Sequence, residues 1–317
     1  MYSDMNPTTR VLKGHSATVI CAAFSDTRIA SGSFDGTIRV WSVDTGECER
    51  TLGVTNKVGV TSVAFSHDGT RVAGGFKDNS VRVWDVESGE CIRVLRGHTD
   101  WVTSVAFSPG DTLMVSGSSN GELRTWDVES GECIRGFKGH SNWVMSVAFS
   151  PDGTLIASGS YFGEVKMWSV HTGECIRNLE GHRDSIEGVV FSPDGTLIAS
   201  ASYQTVRVWN VSVGYGVDIL QGHSNRVTSV AFSPDGKRIV SGAIRGAADE
   251  RTVSIDVCVW KMGANRWLQE RASHSLSEGP VWLIGVTFSP RDNDVWSVET
   301  GAGADILFTS RRWTNVV

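Results

Sequence analysis

No run of five or more Lys/Arg interrupts this sequence, and its formal net charge is −6. Proteins that grip a phosphate backbone usually present a clustered basic face, so nucleic acid is not expected as a partner. The longest mostly apolar stretches are six to eight residues, too short for a transmembrane helix. Met1–Gly14 lacks the apolar core of a secretory signal, so an intracellular protein is expected, cytoplasmic or nuclear. Only 6 cysteines occur, none in a Cys-x-x-Cys pair. Neither a glycine-rich nucleotide loop nor a His-Glu-x-x-His zinc motif is present, so no cofactor and no metal are expected. With 40% hydrophobic and 20% charged residues there is ample material for a core and too little charge for a disordered acidic chain. The 317 residues admit two ordinary domains or one large repeat domain.

What is plentiful is tryptophan, with 12 copies, and its pattern decides between those two. Trp41, Trp84, Trp126, Trp168, Trp209 and Trp260 follow at spacings of 43, 42, 42, 41 and 51. A period of 40–45 residues is the signature of a repeat architecture. Each Trp sits in one frame, TIRVWSVDTGE, SVRVWDVESGE, ELRTWDVESGE, EVKMWSVHTGE and TVRVWNVSVGY among them. Upstream lies a second recurring block, VTSVAFSPDG in its fullest form, and before that a Gly-His pair in five repeats, beginning at His15, His98, His140, His182 and His223. Segments such as VTSVAF, LIASGS, VRVWD and ECIRVL are rich in β-branched and aromatic residues and are separated by turn signals such as Ser150-Pro151-Asp152-Gly153. Four short antiparallel strands per period make one propeller blade, and stacked blades bury each other's faces.

The Gly-His pairs, the Trp84-Asp85 and Trp126-Asp127 dipeptides and the period resemble the WD40 repeat family over roughly residues 10–300. The resemblance implies an all-β, seven-bladed propeller of four-stranded antiparallel blades, one domain over 1–317. The repeats fall near 14–52, 53–95, 96–137, 138–179, 180–220, 221–271 and 272–310. In the family a chain terminus closes the ring. Here Thr9–Leu12 matches the outer strand that precedes Gly97-His98, which makes it the closing strand. The last blade is irregular: after Pro290 roughly twenty residues of the repeat are missing. Two readings stay open. Asp294–Val298 and Asp305–Ser310 can serve as its middle strands, or the blade is incomplete and the chain a decayed paralogue.

The resemblance also implies a buried network of His, Ser, Asp and Trp, complete in the first repeat as His15, Ser31, Asp35 and Trp41. Elsewhere it is broken. The second repeat lacks the His and has Gly74 at the serine place, the third has Asn120 and the fourth Phe162 where Asp is expected, and the fifth is one residue short at Gln204. His15, Ser31 and Asp35 are residue types of a hydrolase triad, yet their recurrence in other blades points to structure rather than catalysis. Cys48, Cys91, Cys133 and Cys175 share one phase, too far apart between blades for disulfides, and are expected to be small buried thiols.

Three further tryptophans share a second phase. The resemblance places that phase, the position two residues on, and the residue before the turn Asp on the top rim around the channel. The rim residues are then Phe34, Lys77, Trp101, Thr103, Trp143, Met145, Tyr161, Tyr203, Arg226 and Trp282. Clustered exposed aromatics with Arg mark partner surfaces. The expected function is a non-catalytic protein-interaction scaffold that binds a peptide or protein on this rim. The near-identical repeats also resemble the WD arrays of fungal and bacterial NACHT-type receptors, which makes a sensor module the alternative. No membrane partner is expected.

Overall fold

A computed structural model describes residues 8–53, 57–246, 252–264, 266–278, 282–291, 294–300 and 304–311. Among them there are strands and turns and no helix. The short β-branched segments form strands, and most of their turns are closed by Gly or Asn at positive φ, as at Gly36, Asn79, Gly121 and Gly163. Only such residues enter that region cheaply.

The first four sheets are regular. β1 (Thr8–Leu12) stands apart in sequence, and β2 (Val19–Phe24), β3 (Arg28–Ser33), β4 (Thr37–Ser42) and β5 (Cys48–Gly53) form blade one. Blade two is β6 (Val60–Phe65), β7 (Arg71–Phe76), β8 (Ser80–Asp85) and β9 (Cys91–Arg96). Blade three is β10 (Val102–Phe107), β11 (Leu113–Ser118), β12 (Glu122–Asp127) and β13 (Cys133–Lys138). Blade four is β14 (Val144–Phe149), β15 (Leu155–Ser160), β16 (Val165–Ser169) and β17 (Cys175–Leu179).

Blades five and six are fused. β18 (Gly188–Phe191), β19 (Leu197–Ala201) and β20 (Tyr203–Asn210) are completed by β21 (Gly216–Phe232), which continues into the next blade with β22 (Arg238–Gly246), β23 (Thr252–Met262) and β24 (Trp267–Glu278). The missing residue in the fifth repeat accounts for this. Its turn is tightened onto Gln204, which is forced to φ 60, and Tyr203 pairs with Arg226 across the junction. The ten-residue insertion of the sixth repeat lengthens the β22–β23 hairpin, with pairing out to Gly246 and Val253.

The last sheet is β25 (Trp282–Phe288), β26 (Val295–Thr300), β27 (Ile306–Arg311) and β1, in that order. Val295–Thr300 thus follows β25 after a very short connection, and β1 lies antiparallel to β27 from Thr8↔Ser310 to Leu12↔Ile306. The blades number seven, and the seventh is irregular but four-stranded.

The core lies between blades, in seven clusters that link each blade to the next. One joins Leu12, Val19, Ile29 and Trp41 to Trp296, Val298, Ile306 and Phe308, so the ring is closed by packing as well as pairing. Trp296 and Trp267, outside the repeat frame, are core residues packed on Phe24 and Phe308 and on Phe232. Trp313 lies outside the described residues.

Two polar rows stitch the blades. The serine of each VTSV block accepts the backbone N–H of the next blade's first strand: Ser62 from Val105, Ser104 from Val147, Ser146 from Val189 and Ser229 from Val286, each at 3.1 Å. On the perimeter an outer-strand arginine donates to a carbonyl of the next blade's hairpin, Arg50 to Glu87, Arg93 to Glu129, Arg135 to Thr172 and Arg177 to Ser212. In β1, Arg10 makes the same bond to Val43, so the closing strand reproduces the clamp of its sister blades.

The cysteine expectation is corrected. All six are free, but Cys48, Cys91, Cys133 and Cys175 are exposed, because each opens an outer strand that no further strand covers. Only Cys258 is buried, and Cys21 is half-buried.

Candidate protein-interaction rim and the network beneath it

Below the rim, the polar network of blade one is complete. His15 donates from Nδ1 to Asp35 Oδ2 at 2.9 Å, and its Nε2 accepts from Ser31 Oγ at 2.8 Å. Trp41 Nε1 donates to the same Ser31 oxygen at 2.8 Å. These partners at both nitrogens fix one neutral tautomer. Burial disfavours charge on Asp35, but hydrogen bonds from Thr37, Ser16 and His15 outweigh it and hold the carboxyl down at about 2. Ser31 is completely buried, which leaves a substrate no approach to its hydroxyl.

The broken repeats are repaired in different ways. In blade four the carboxylate comes two residues late: Glu164 Oε2 takes the His140 Nδ1–H at 3.2 Å and the Ser141 N–H at 3.0 Å. In blade three Asn120 turns to Thr99, and His98 Nδ1 is buried without a hydrogen bond while its Nε2 meets Ser116 at 2.6 Å. In blade two an apolar pair replaces the network. Phe76, fully buried, stands 5.8 Å from Trp84, the separation at which His98 stands from Trp126. Gly74 is required by that exchange, since a Cβ there would lie 2.6 Å from Ile38 Cδ1 and 3.0 Å from Phe76 Cε2. His182 and His223 keep their bonds to Ser200 and Ser241, both at 2.7 Å. Burial above all pushes His98, His140 and His182 down to about 4, so these imidazoles are neutral in the fold.

Above this layer the two rim phases are brought together by backbone pairing. Phe34 N donates to Thr18 O, Lys77 N to Gly59 O, Ser119 N to Trp101 O and Tyr161 N to Trp143 O. Blades one to four thus each present the loop residue beside the turn residue. Trp101 and Trp143 are anchored further by Asp100 and Asn142, whose side chains accept their N–H groups at 2.8 Å.

The side chains form an arc over blades one to four. Lys77 Nζ lies 4.1 Å from the Phe34 ring centre and 4.6 Å from that of Trp101. Trp101 and Trp143 are 6.4 Å apart, Trp143 and Tyr161 6.2 Å, and Tyr161 and Phe162 5.9 Å. Phe34, Trp101, Trp143, Tyr161 and Phe162 are all exposed, by 40–60%. Phe162 was not legible as a rim residue: its position reads as a failed network aspartate, and only the substitution by Glu164 frees it to face solvent.

Other expected rim residues stand outside the arc. Thr103 is spent on structure, its hydroxyl donating to Gly117 O at 3.1 Å and to Val144 O of the next blade. Met145 is half-buried. Arg226 is ion-paired with Glu187, and Tyr203, exposed, pairs with Arg226 by strand register. Trp282 heads β25, and its side chain lies outside the described residues.

Comparison with known proteins agrees with this architecture. A family model for the WD domain, G-beta repeat, matches residues 89–127, 131–169, 173–210 and 214–255. The chain belongs to the WD40 repeat family. A model of the Vps8 beta-propeller matches residues 13–101 of this WD40 protein. Relatives include the "Probable E3 ubiquitin ligase complex SCF subunit sconB" of Aspergillus fumigatus, 51% identical over 43 residues, which is 14% of this chain and 6% of that protein. The corresponding scon-2 of Neurospora crassa is 50% identical over 42 residues, 13% of this chain and 6% of that protein. The matched segment is therefore one blade in length and a small part of each relative.

Proposed function

We propose that this WD40 propeller is a non-catalytic, intracellular recognition platform that docks a peptide or protein on the aromatic arc of its rim. Trp101, Trp143 and Tyr161 are the anchors. Neither nucleic acid nor a membrane is the partner, in keeping with the net charge of −6 and the absence, among the described residues, of any helix long and apolar enough to cross a membrane. The single observation that carries the reading is continuity. Large aromatic side chains of blades three and four stand about 6 Å apart, ring centre to ring centre, yet stay exposed. Exposed, contiguous Trp and Tyr are the composition of interface hot spots. The scon relatives are described as subunits of a ubiquitin ligase complex, and a role within a multi-protein assembly is the part of that description we extend to this chain.

The test is the variant Trp101→Ala/Trp143→Ala/Tyr161→Ala in affinity capture from the native organism. With the melting transition retained, the specifically captured proteins should be lost. Capture of the same set by the folded variant would refute the proposal.

A further inference from the structure

The first strands of the blades pack on one another in succession, β6 on β10, β10 on β14 and β14 on β18, so they surround the channel. Each starts at the rim and ends in the turn that follows Phe107, Phe149, Phe191 or Phe232, which puts those turns around the opposite mouth. A cavity of about 510 Å³ opens there, lined by these phenylalanines and by Pro109, Pro151 and Pro193. That volume lies in the range of ligand sites. The wall is continuous from blade to blade. The Cδ atoms of Pro109, Pro151 and Pro193 stand 3.7, 3.5 and 3.6 Å from where a Cβ of Gly153, Gly195 and Gly236 would lie, each in the next turn round. On the blade-two side Asp111 accepts the N–H groups of His67 and Asp68 at 2.8 and 3.1 Å, which ties that turn to the belt. We infer that this mouth is a second docking site, at the other end of the channel from the arc, for a partner segment that inserts a large apolar side chain flanked by Lys or Arg.

The apolar wall calls for an apolar side chain, and the charges around it call for cations beside that side chain. The five turns of blades two to six carry Asp68, Asp111, Asp152, Asp194 and Asp235 against one Lys or Arg, Lys237. His67, which also lines the cavity, is engaged by Asp111 at 3.2 Å. Asp68, Asp152, Asp194 and Asp235 are exposed, and none has an ion-pair partner among the described residues. The hydroxyls of Ser66, Ser150 and Ser192 hold Asp68, Asp152 and Asp194 below the ordinary carboxylate range, so all three are charged at neutral pH. Further out, the hairpins after the third strands add Asp85, Glu87, Asp127 and Glu129, while Arg50 and Arg93 there are spent on carbonyls. The remaining cations flank this area. Arg71 and Arg238 head the strands behind the second and sixth turns, Lys261 and Arg266 belong to the outer hairpin of blade six, and Arg291 of blade seven is paired with Asp44. Over blades two to five the balance stays negative, and a cationic segment complements it.

The experiment uses the full chain and the fluorescein-labelled peptide Lys-Arg-Leu-Phe-Arg-Lys, with two controls. One has Ala-Ala in place of Leu-Phe at the same charge, and the other has Glu in place of every Lys and Arg. Fluorescence anisotropy should show saturable binding of the first peptide that weakens as salt is added. The Ala-Ala peptide should bind at least about tenfold more weakly, through lost apolar burial, and the Glu peptide should not bind. Asp152→Asn/Asp194→Asn keeps an acceptor for the turn hydrogen bonds and, checked for an unchanged melting transition, should weaken the first peptide about fivefold, as for two exposed ion pairs. No saturable binding, equal binding of the Ala-Ala peptide, or an affinity unmoved by the two Asn substitutions overturns the inference. Loss of binding in Trp101→Ala/Trp143→Ala/Tyr161→Ala with the Asn variant unaffected would put the peptide on the arc, which also overturns it. The chain itself carries Arg312 and Trp313 just after β27, outside the described residues. Binding that appears only in the variant Arg312→Ala/Trp313→Ala would make that segment the occupant and overturn the assignment to a separate partner.

Discussion

Lowering the pH from 7 to 5 should strip this propeller of much of its stability. The cause is the layer of neutral imidazoles beneath the rim. An unfolded histidine takes up its proton near 6.5, whereas His98, His140 and His182 do so only at about 4 in the fold. Between those values the unfolded chain binds more protons, so stability falls as pH falls through the window. Each of the three histidines then costs about 2 kcal/mol on going from pH 7 to 5, and together they cost roughly 6 kcal/mol. A domain has about 5–15 kcal/mol in all, so the effect is large. The carboxylates of blades one and four do not contribute there, while burial raises the Glu299 carboxyl, whose protonation favours the fold as pH falls and works in the opposite direction. Asp35 and Glu164 are held down at about 2, so the stability they add is present above the ordinary carboxylate range near 4 and is lost only below it. The assay is guanidinium unfolding followed by tryptophan fluorescence at pH 7, 6 and 5, with an imidazole NMR titration beside it. Equal unfolding free energies at pH 7 and 5, or buried imidazoles that titrate near 6.5, would refute the reasoning.

Two substitutions test the local repairs. Asn120→Asp restores the carboxylate that His98 Nδ1 lacks, so it should raise the His98 titration midpoint and stabilise the protein by about 1 kcal/mol, read by unfolding at pH 7. A midpoint that stays at about 4 would show that the side chain does not reach the ring. Gln204→Gly removes a side chain from the left-handed region at φ 60 and should stabilise blade five by about 1 kcal/mol, less the Gln204–Ser224 hydrogen bond it gives up. Destabilisation of more than about 1 kcal/mol would mean that this bond, not the backbone strain, dominates.

Much of the fold was readable because the repeat is a period in chemistry. Trp41, Trp84, Trp126, Trp168, Trp209 and Trp260 mark the third strand of the first six blades, and the turn glycines mark where φ must be positive. The rim was partly readable for the same reason: a phase common to Trp101 and Trp143 puts both on one face. Interactions that leave the phase were not readable. Glu164 serves His140 from two positions beyond the expected aspartate, and Phe76 replaces an imidazole from another strand. Both are substitutions in space, where a ring or carboxylate reaches the same point from a different backbone position. The exposed thiols were misread because composition cannot tell an outer strand from an inner one; Cys133 opens a strand with a neighbour on one side only.

The sequence by itself thus determined the number of strands per blade and the frame of each, since both follow from side-chain type repeated at a fixed interval. Only the tertiary structure decided how the closing strand is clamped and what each rim residue is free to do. Arg10 reaches Val43 across 33 residues, β1 pairs with β27 from the far end of the chain, and Thr103 is withdrawn from the rim by a carbonyl of the next blade. Those outcomes depend on which backbone groups blade stacking leaves unpaired, and no single repeat contains that information.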